Sequence, residues 1–181
     1  MDETAESTRL SIRTAAPGDE AALSLVGSAT FLETYAHMIP RADILSHCAH
    51  QHSPATYSAW LADTANTIWI AETESTGAPI GYLVLTRATL PNDAPQPDDL
   101  EVQRIYVLTR FLGTGIGSAL MNLAVSKGLS RGASRLVLGV HNDNTRALEF
   151  YKRHAFVAID GRKFCVGGSV FCDTVLARKL R

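Results

Sequence analysis

The 181-residue sequence is poor in cysteine, with only Cys48, Cys165 and Cys172, and no two of them form a Cys-x-x-Cys pair. That count excludes a disulfide scaffold and fits a reduced, cytoplasmic chain whose cysteines serve as small apolar fillers. No apolar run approaches the ~18 residues needed to span a bilayer. Met1 to Arg9 is polar and partly acidic, unlike a secretory signal. Positive charge is not in excess either: 17 Lys and Arg face 18 Asp and Glu, for a net charge of −1. A generic nucleic-acid binder, which needs clustered basic residues, is thereby excluded. There is no internal repeat and no low-complexity tract. What is present is 46% hydrophobic residues on a chain of single-domain length, enough to bury roughly 70% of the unfolded surface.

Leu10 and Ile12 alternate with Ser11 and Arg13, the period of a half-buried strand. Pro17-Gly18-Asp19-Glu20 then opens a helix, with acidic residues at the positive end of its dipole and Ala22, Leu25, Val26 and Ala29 as its apolar face. Arg41 to Gln51 predicts a second helix, and Ser53-Pro54 caps a third that runs toward Leu61. Strands follow at 67–71 and 80–85 around a Gly77 hairpin loop, then a loop stiffened by Pro91, Pro95 and Pro97, then a strand over Leu100 to Val107. After a glycine-rich turn comes a helix with Ile116, Ala119, Leu120, Leu123 and Ala124 inward, its end bracketed by Gly128 and Gly132. A buried strand at 136–140, a helix from Asn144 to His154, and strands near 156–159 and 170–178 complete the chain, with Gly161, Gly167 and Gly168 in the links. This order predicts a single mixed α/β domain over residues 8–181, preceded by a disordered 1–7.

The segment richest in chemistry is the strand ending at Val107, the turn with Gly113, Gly115 and Gly117, and the helix behind it. Glycine lets backbone approach a ligand closely, and the unpaired N–H groups of a first helical turn favour phosphate or pyrophosphate. Arg110 stands ready to add a charge-assisted contact. Two nucleotide motifs fail on spacing. No Gly-Lys-Ser/Thr exists for a P-loop, and Gly113-x-Gly115-x-Gly117 is not the GxGxxG of a dinucleotide fold.

Arg110-x-x-Gly113-x-Gly115, following Arg104-Ile105-Tyr106-Val107, resembles the acetyl-CoA signature of the GNAT superfamily of N-acetyltransferases. A second block agrees: Val137-Leu138-Gly139-Val140, Asn142-Asp143-Asn144, and Ala147-x-x-Phe150-Tyr151-x-x-His154-x-Phe156. Phe111-Leu112 and His154 depart from the usual pattern. The resemblance implies a mixed, largely antiparallel sheet flanked by helices and splayed at the acetyl-CoA site. It also implies a cofactor-contacting set of Ile105, Tyr106, Val107, Arg110, Gly113, Thr114, Gly115, Ile116, Gly117, Ser118, Asn144 and Tyr151.

In the mechanism the resemblance implies, the pantetheine arm lies along the strand ending at Val107 and pairs with backbone groups of Ile105 and Val107. The Val107 N–H faces the oxyanion, and Tyr151 protonates the leaving thiolate. Asn144 and Tyr151 are seven residues apart, about two helical turns or roughly 10.5 Å along one face. A phenol with an ordinary pKa near 10 stays protonated at neutral pH, as such a donor must. Glu101, Glu33 and Tyr35 are candidate bases, none assigned.

Phe31-Leu32-Glu33-Thr34-Tyr35 lies where this fold lines its acceptor pocket, so Glu33, Tyr35 or His37 is expected to meet an amine. This stretch, with Arg104 to Val107 and the C-terminal segment from Phe164, resembles the bacterial polyamine N-acetyltransferase branch and implies a spermidine-like acceptor. The resemblance also implies a homodimer paired through C-terminal strands. The competing classes are a catalytically silent acyl-CoA-binding module and a metal protein built on His47, Cys48, His50 and His52. That cluster lacks a second group of ligands, so the expected metal content is none.

Overall fold

The computed structural model describes residues 9–90, 96–166 and 169–181. The expected disordered start, Pro91, Pro95, Gly167 and Gly168 lie outside the described residues. The elements are β1 (Leu10–Thr14), α1 (Glu20–Tyr35), α2 (Arg41–Gln51), α3 (Pro54–Ala62), β2 (Thr67–Thr73), β3 (Pro79–Arg87), β4 (Leu100–Val107), α4 (Ile116–Ser130), β5 (Arg135–His141), α5 (Thr145–Arg153), β6 (Val157–Val166) and β7 (Ser169–Lys179). A 3₁₀ turn, Thr109–Phe111, links β4 to the glycine segment.

The seven strands form one sheet in the order β1-β2-β3-β4-β5-β7-β6. Every pairing is antiparallel except β4 with β5. Both faces of the centre are covered, so its strands read as nearly continuous apolar runs. Trp69, Ala71, Leu83 and Leu85 point into one core with Leu120, Met121 and Ala124 of α4. Their neighbours Ile68, Ile70, Tyr82 and Val84 point into a second core with Leu23 and Val26 of α1 and Tyr57 of α3. A third apolar group, Phe31, Ile39, Ile44 and Val166, closes the end under α2.

Several sequence expectations shift. The inward face of α1 is Leu23, Val26, Gly27, Thr30 and Phe31, whereas Leu25 is 65% exposed. Gly27 and Thr30 carry no hydrophobic signal. Gly27 packs there because any Cβ would collide with Tyr57 Oη and His52 Nδ1, and Thr30 returns its hydroxyl to the Val26 carbonyl. In α4, Ala119 faces solvent, Leu123 is only partly covered, and Met121 is buried instead. Gly128 lies inside that helix, where a Cβ would come within 2.7 Å of Leu180. Gly161 is no linker: it sits within β6, opposite Thr174. Cys165 and Cys172 are exposed rather than packed, and all three cysteines are free.

Candidate active site

β4 and β5 pair over only two positions, Leu100↔Leu136 and Glu101↔Val137. Beyond them β4 stays with β3 as far as Gly81↔Val107, while β5 leaves with β7 as far as His141↔Asp173. The sheet therefore opens as a V with Glu101 at its apex. A bulge helps: β3 pairs Val84 with Arg104 and Leu85 with Val102, so Gln103 is the extra residue. That one residue puts Val102, Ile105 and Val107 on the α4 face, with Glu101, Arg104 and Tyr106 opposite. The Leu108 N–H donates to Ile80 on β3. By strand alternation, the N–H groups of Ile105 and Val107 point the other way, into the V.

At the mouth, Gly113 and Gly115 have φ of +82° and +90°, left-handed values that disfavour any side chain, and the space where a Cβ would sit is open. Gly115 is the N-cap of α4 and offers no side-chain cap, so the first-turn N–H groups face outward. Gly117 differs from these two glycines: its φ is not left-handed, and a Cβ there would only reach ordinary contact with the Phe150 ring of α5, at 3.5 Å. The Ser118 hydroxyl meets His154 Nε2 at 3.1 Å, which accounts for the unusual histidine and commits that hydroxyl to protein. Arg110 is exposed in the 3₁₀ turn. Asn144 caps α5, its Oδ1 accepting from the Ala147 N–H at 3.1 Å, which leaves its amide NH₂ for other partners. Tyr151 is buried in the α4-side core, and burial, followed by the neighbouring Tyr106, raises its pKa above the ordinary phenol value.

On the opposite face lies a cleft of about 280 Å³, lined by residues of α1, α2, β4, β5, β6 and β7. Glu101 is 3% exposed, and its Oε2 accepts from the Thr89 N–H, the Thr89 hydroxyl and the Leu90 N–H at 2.8, 3.1 and 3.1 Å. Burial nonetheless lifts its pKa above the ordinary carboxylate value. Arg162 lies over Gly139, where a Cβ would come within 2.7 Å of it, and pairs with Asp173 at 3.0 Å. Tyr35 hydrogen-bonds Tyr106; that neighbour, then burial, raises its pKa. At the α2 end, Arg104 Nη1 donates to the Gln51 carbonyl at 2.8 Å and to Tyr57 Oη at 3.0 Å. Arg104 Nη1, which can only donate, also lies 3.3 Å from His52 Nδ1, so that nitrogen is the acceptor, and Tyr57 Oη lies 2.9 Å from it.

Of the residues expected to meet an amine, Tyr35 lines this cleft. Glu33 does not. Its Oε2 accepts from the N–H and hydroxyl of Thr109 at 2.9 and 3.1 Å, tying α1 to the turn that precedes the glycines. His37 is exposed outside the cleft. The histidines diverge: His47 stacks on Phe31 at 4.1 Å, His50 donates to the Ser46 carbonyl at 2.7 Å, and His52 belongs to the Tyr57 network. Among the described residues no group of three ligating side chains is arranged to hold a metal. Sequence reasoning missed Arg162, Asp173 and the His52–Tyr57–Arg104 network. Their partners lie 5 to 52 residues away, and the β6–β7 register and the α2–α3 turn bring them together.

A mixed sheet that opens between its one parallel pair, with a glycine turn and a helix N-terminus at the mouth, is the architecture of the N-acetyltransferase fold class. The sequence pattern of the acetyltransferase (GNAT) family matches residues 32–156, and the chain belongs to that family. It is 31% identical over 128 residues to an uncharacterized N-acetyltransferase of Mycobacterium tuberculosis, covering 71% of this chain and 76% of the relative. A mycothiol acetyltransferase of Jonesia denitrificans is 36% identical over 66 residues, covering 36% of this chain and 21% of the relative. In fold it is similar to the PaiA N-acetyltransferase of Thermoplasma acidophilum in complex with coenzyme A. There the TM-score is 0.77 at 21% identity, covering 94% of this chain and 99% of that one.

Proposed function

We propose that the protein transfers an acetyl group from acetyl-CoA to a primary amine by direct attack within a ternary complex. The observation that carries this reading is the V between β4 and β5, which joins an anion-binding helix terminus to a polar cleft on the other face. Acetyl-CoA fits the residues present: open space at two left-handed glycines for pyrophosphate, and two free strand N–H groups for pantetheine. The relative that holds coenzyme A on the same fold supports it.

In the proposed mechanism the first-turn N–H groups of Gly117 and Ser118, with Arg110, hold the pyrophosphate. Ile105 and Val107 pair with the arm as an added strand, and the Val107 N–H faces the carbonyl oxygen as charge develops there. The neutral amine attacks the carbonyl carbon; the C–N bond forms and the C–S bond breaks. The amine's proton leaves through water to Glu101, the base that the geometry favours. Glu101 lines the cleft and Glu33 does not, being tied to Thr109 outside it, while Tyr35 has a raised pKa and an engaged hydroxyl. The thiolate takes its proton from Tyr151, which burial keeps protonated throughout the working pH range.

A spermidine-like acceptor draws support from the sequence resemblance alone. The proposal includes a homodimer, supported by β6 as an edge strand carrying exposed Val157 and Ile159. It also includes a cytoplasmic location, supported by the three free thiols. Among the described residues no helix is long and apolar enough to cross a membrane. The test is thermal stabilisation by acetyl-CoA followed by thiol release on a panel of primary amines. Stabilisation with amine-dependent release is expected; stabilisation without release on any amine would identify a silent acyl-CoA-binding module.

A further inference from the structure

The charges that line the cleft are not equally matched. Asp173 is held by Arg162 through Nη2 and Nε at 3.0 and 3.2 Å. Glu101 has three donors on one oxygen and Arg162 nearby. Arg104 has no such counter-charge: among the described residues no carboxylate lies within ion-pair distance of it. Its hydrogen bonds go to a carbonyl, a phenol and a neutral imidazole, all from Nη1. The guanidinium is stacked 4.6 Å from the centre of the Trp60 ring, which covers a flat face and leaves the in-plane edge formed by Nε and Nη2 without a hydrogen bond. Neither nitrogen is sealed from solvent, since among the described residues Tyr82 Oη is the buried side-chain polar atom left unpartnered.

A flat guanidinium edge with two parallel N–H groups is the complement of a carboxylate. We propose that Arg104 recognises a carboxylate on the acceptor, so that the acceptor is an amino carboxylate rather than a polyamine. This rests on the acetyltransferase reading above. The pocket then has two unlike ends: Glu101 at the apex, where the attacking amine sheds its proton, and Arg104 three residues along the strand, where the acid group docks. A polyamine would set a second ammonium against an unpaired guanidinium, and the two carboxylates able to attract it already have partners.

The test uses the intact protein with acetyl-CoA. Acceptors are L-α-amino acids and a ladder of ω-amino acids, each beside its uncharged amide and its decarboxylated amine, with spermidine and the α,ω-diamines for comparison. The expected result is at least a tenfold higher kcat/KM for the best carboxylate than for its amide. Arg104→Gln should erase that preference by raising acceptor KM, with KM for acetyl-CoA unmoved, and Arg104→Lys should restore part of it. Because Arg104 also ties α2 and α3 to β4, the wild-type comparison of acid with amide stands even if the Gln variant folds poorly. Spermidine or a diamine outperforming every carboxylate overturns the carboxylate assignment and leaves the acetyltransferase reading intact. Absence of thiol release with every acceptor overturns both.

Discussion

At the mouth of the V, the groups proposed to hold the pyrophosphate come from one short stretch, Arg110 to Ser118, and most of them are backbone N–H. The acceptor cleft is assembled from side chains as far apart in sequence as Phe31 and Asp173, drawn from α1, α2 and the strands β4, β5, β6 and β7. The first needs only a strand, two left-handed glycines and a helix start, all of which are encoded locally. The second exists only once β7 has inserted between β5 and β6 and α2 has folded over β4. A pyrophosphate site of that kind suits a shared co-substrate, whereas a side-chain cleft is free to vary with its acceptor.

The sharpest way to separate the two sides is Tyr151→Phe, which removes one oxygen from the line where they meet. Turnover should fall at least ~10-fold, and by as much as the roughly 10²–10⁴ that a general acid contributes, while acetyl-CoA affinity and the melting temperature hold. Unchanged turnover under chemistry-limited conditions would take Tyr151 out of the mechanism. Next in size is Gly115→Ala, which forces a side chain into φ +90° at a cost of about 1–2 kcal/mol. KM for acetyl-CoA should rise roughly tenfold, with acceptor KM unchanged; an equal rise in both would show that the two regions are not separable.

Glu33→Ala tests a strap between them, the clasp from α1 to Thr109. Loss of two exposed hydrogen bonds should raise KM for acetyl-CoA by about 2- to 10-fold, and Glu33→Gln, which still accepts from Thr109, should recover most of it. The smallest effect is on stability in acid. Burial lowers the pKa of His47 to about 4 and that of His52 to about 2, from an ordinary 6.5. Between those values and 6.5 the unfolded chain binds more protons than the folded one, so stability falls as pH drops below 6.5. The share due to His47, which solvent screens in part, is complete near pH 4; that of His52 continues toward pH 2. Melting curves between pH 7 and 4 should show the slope, and His52→Asn should flatten it.

The same contrast explains what the sequence made legible. The start of α3 and the boundaries of β4 agree with those read from capping and pattern, because Ser53-Pro54 and the run from Leu100 carry local signals. Gly113 and Gly115 stand where the glycine spacing put them, at positive φ. The inward face of α1 was hidden because Gly27 and Thr30, which no hydrophobic period marks, are what pack there. Arg104 was visible as part of a strand motif, but its isolation from any carboxylate depends on contacts with Gln51, His52 and Tyr57 about fifty residues away. Gln103 as a bulge, and hence the side of β4 that Glu101 and Arg104 share, follows from pairing register and not from the strand's own alternation.

Whether an amine becomes acetylated at the expense of acetyl-CoA is the most direct test of the chemistry assigned to the V. Incubating the protein with acetyl-CoA and an amino carboxylate, and following both free thiol and the mass of the acceptor, should give one acetylated amine for each CoA released, with Tyr151→Phe suppressing both together. CoA bound by the protein but neither released as free thiol nor matched by acetyl on any amine would contradict it.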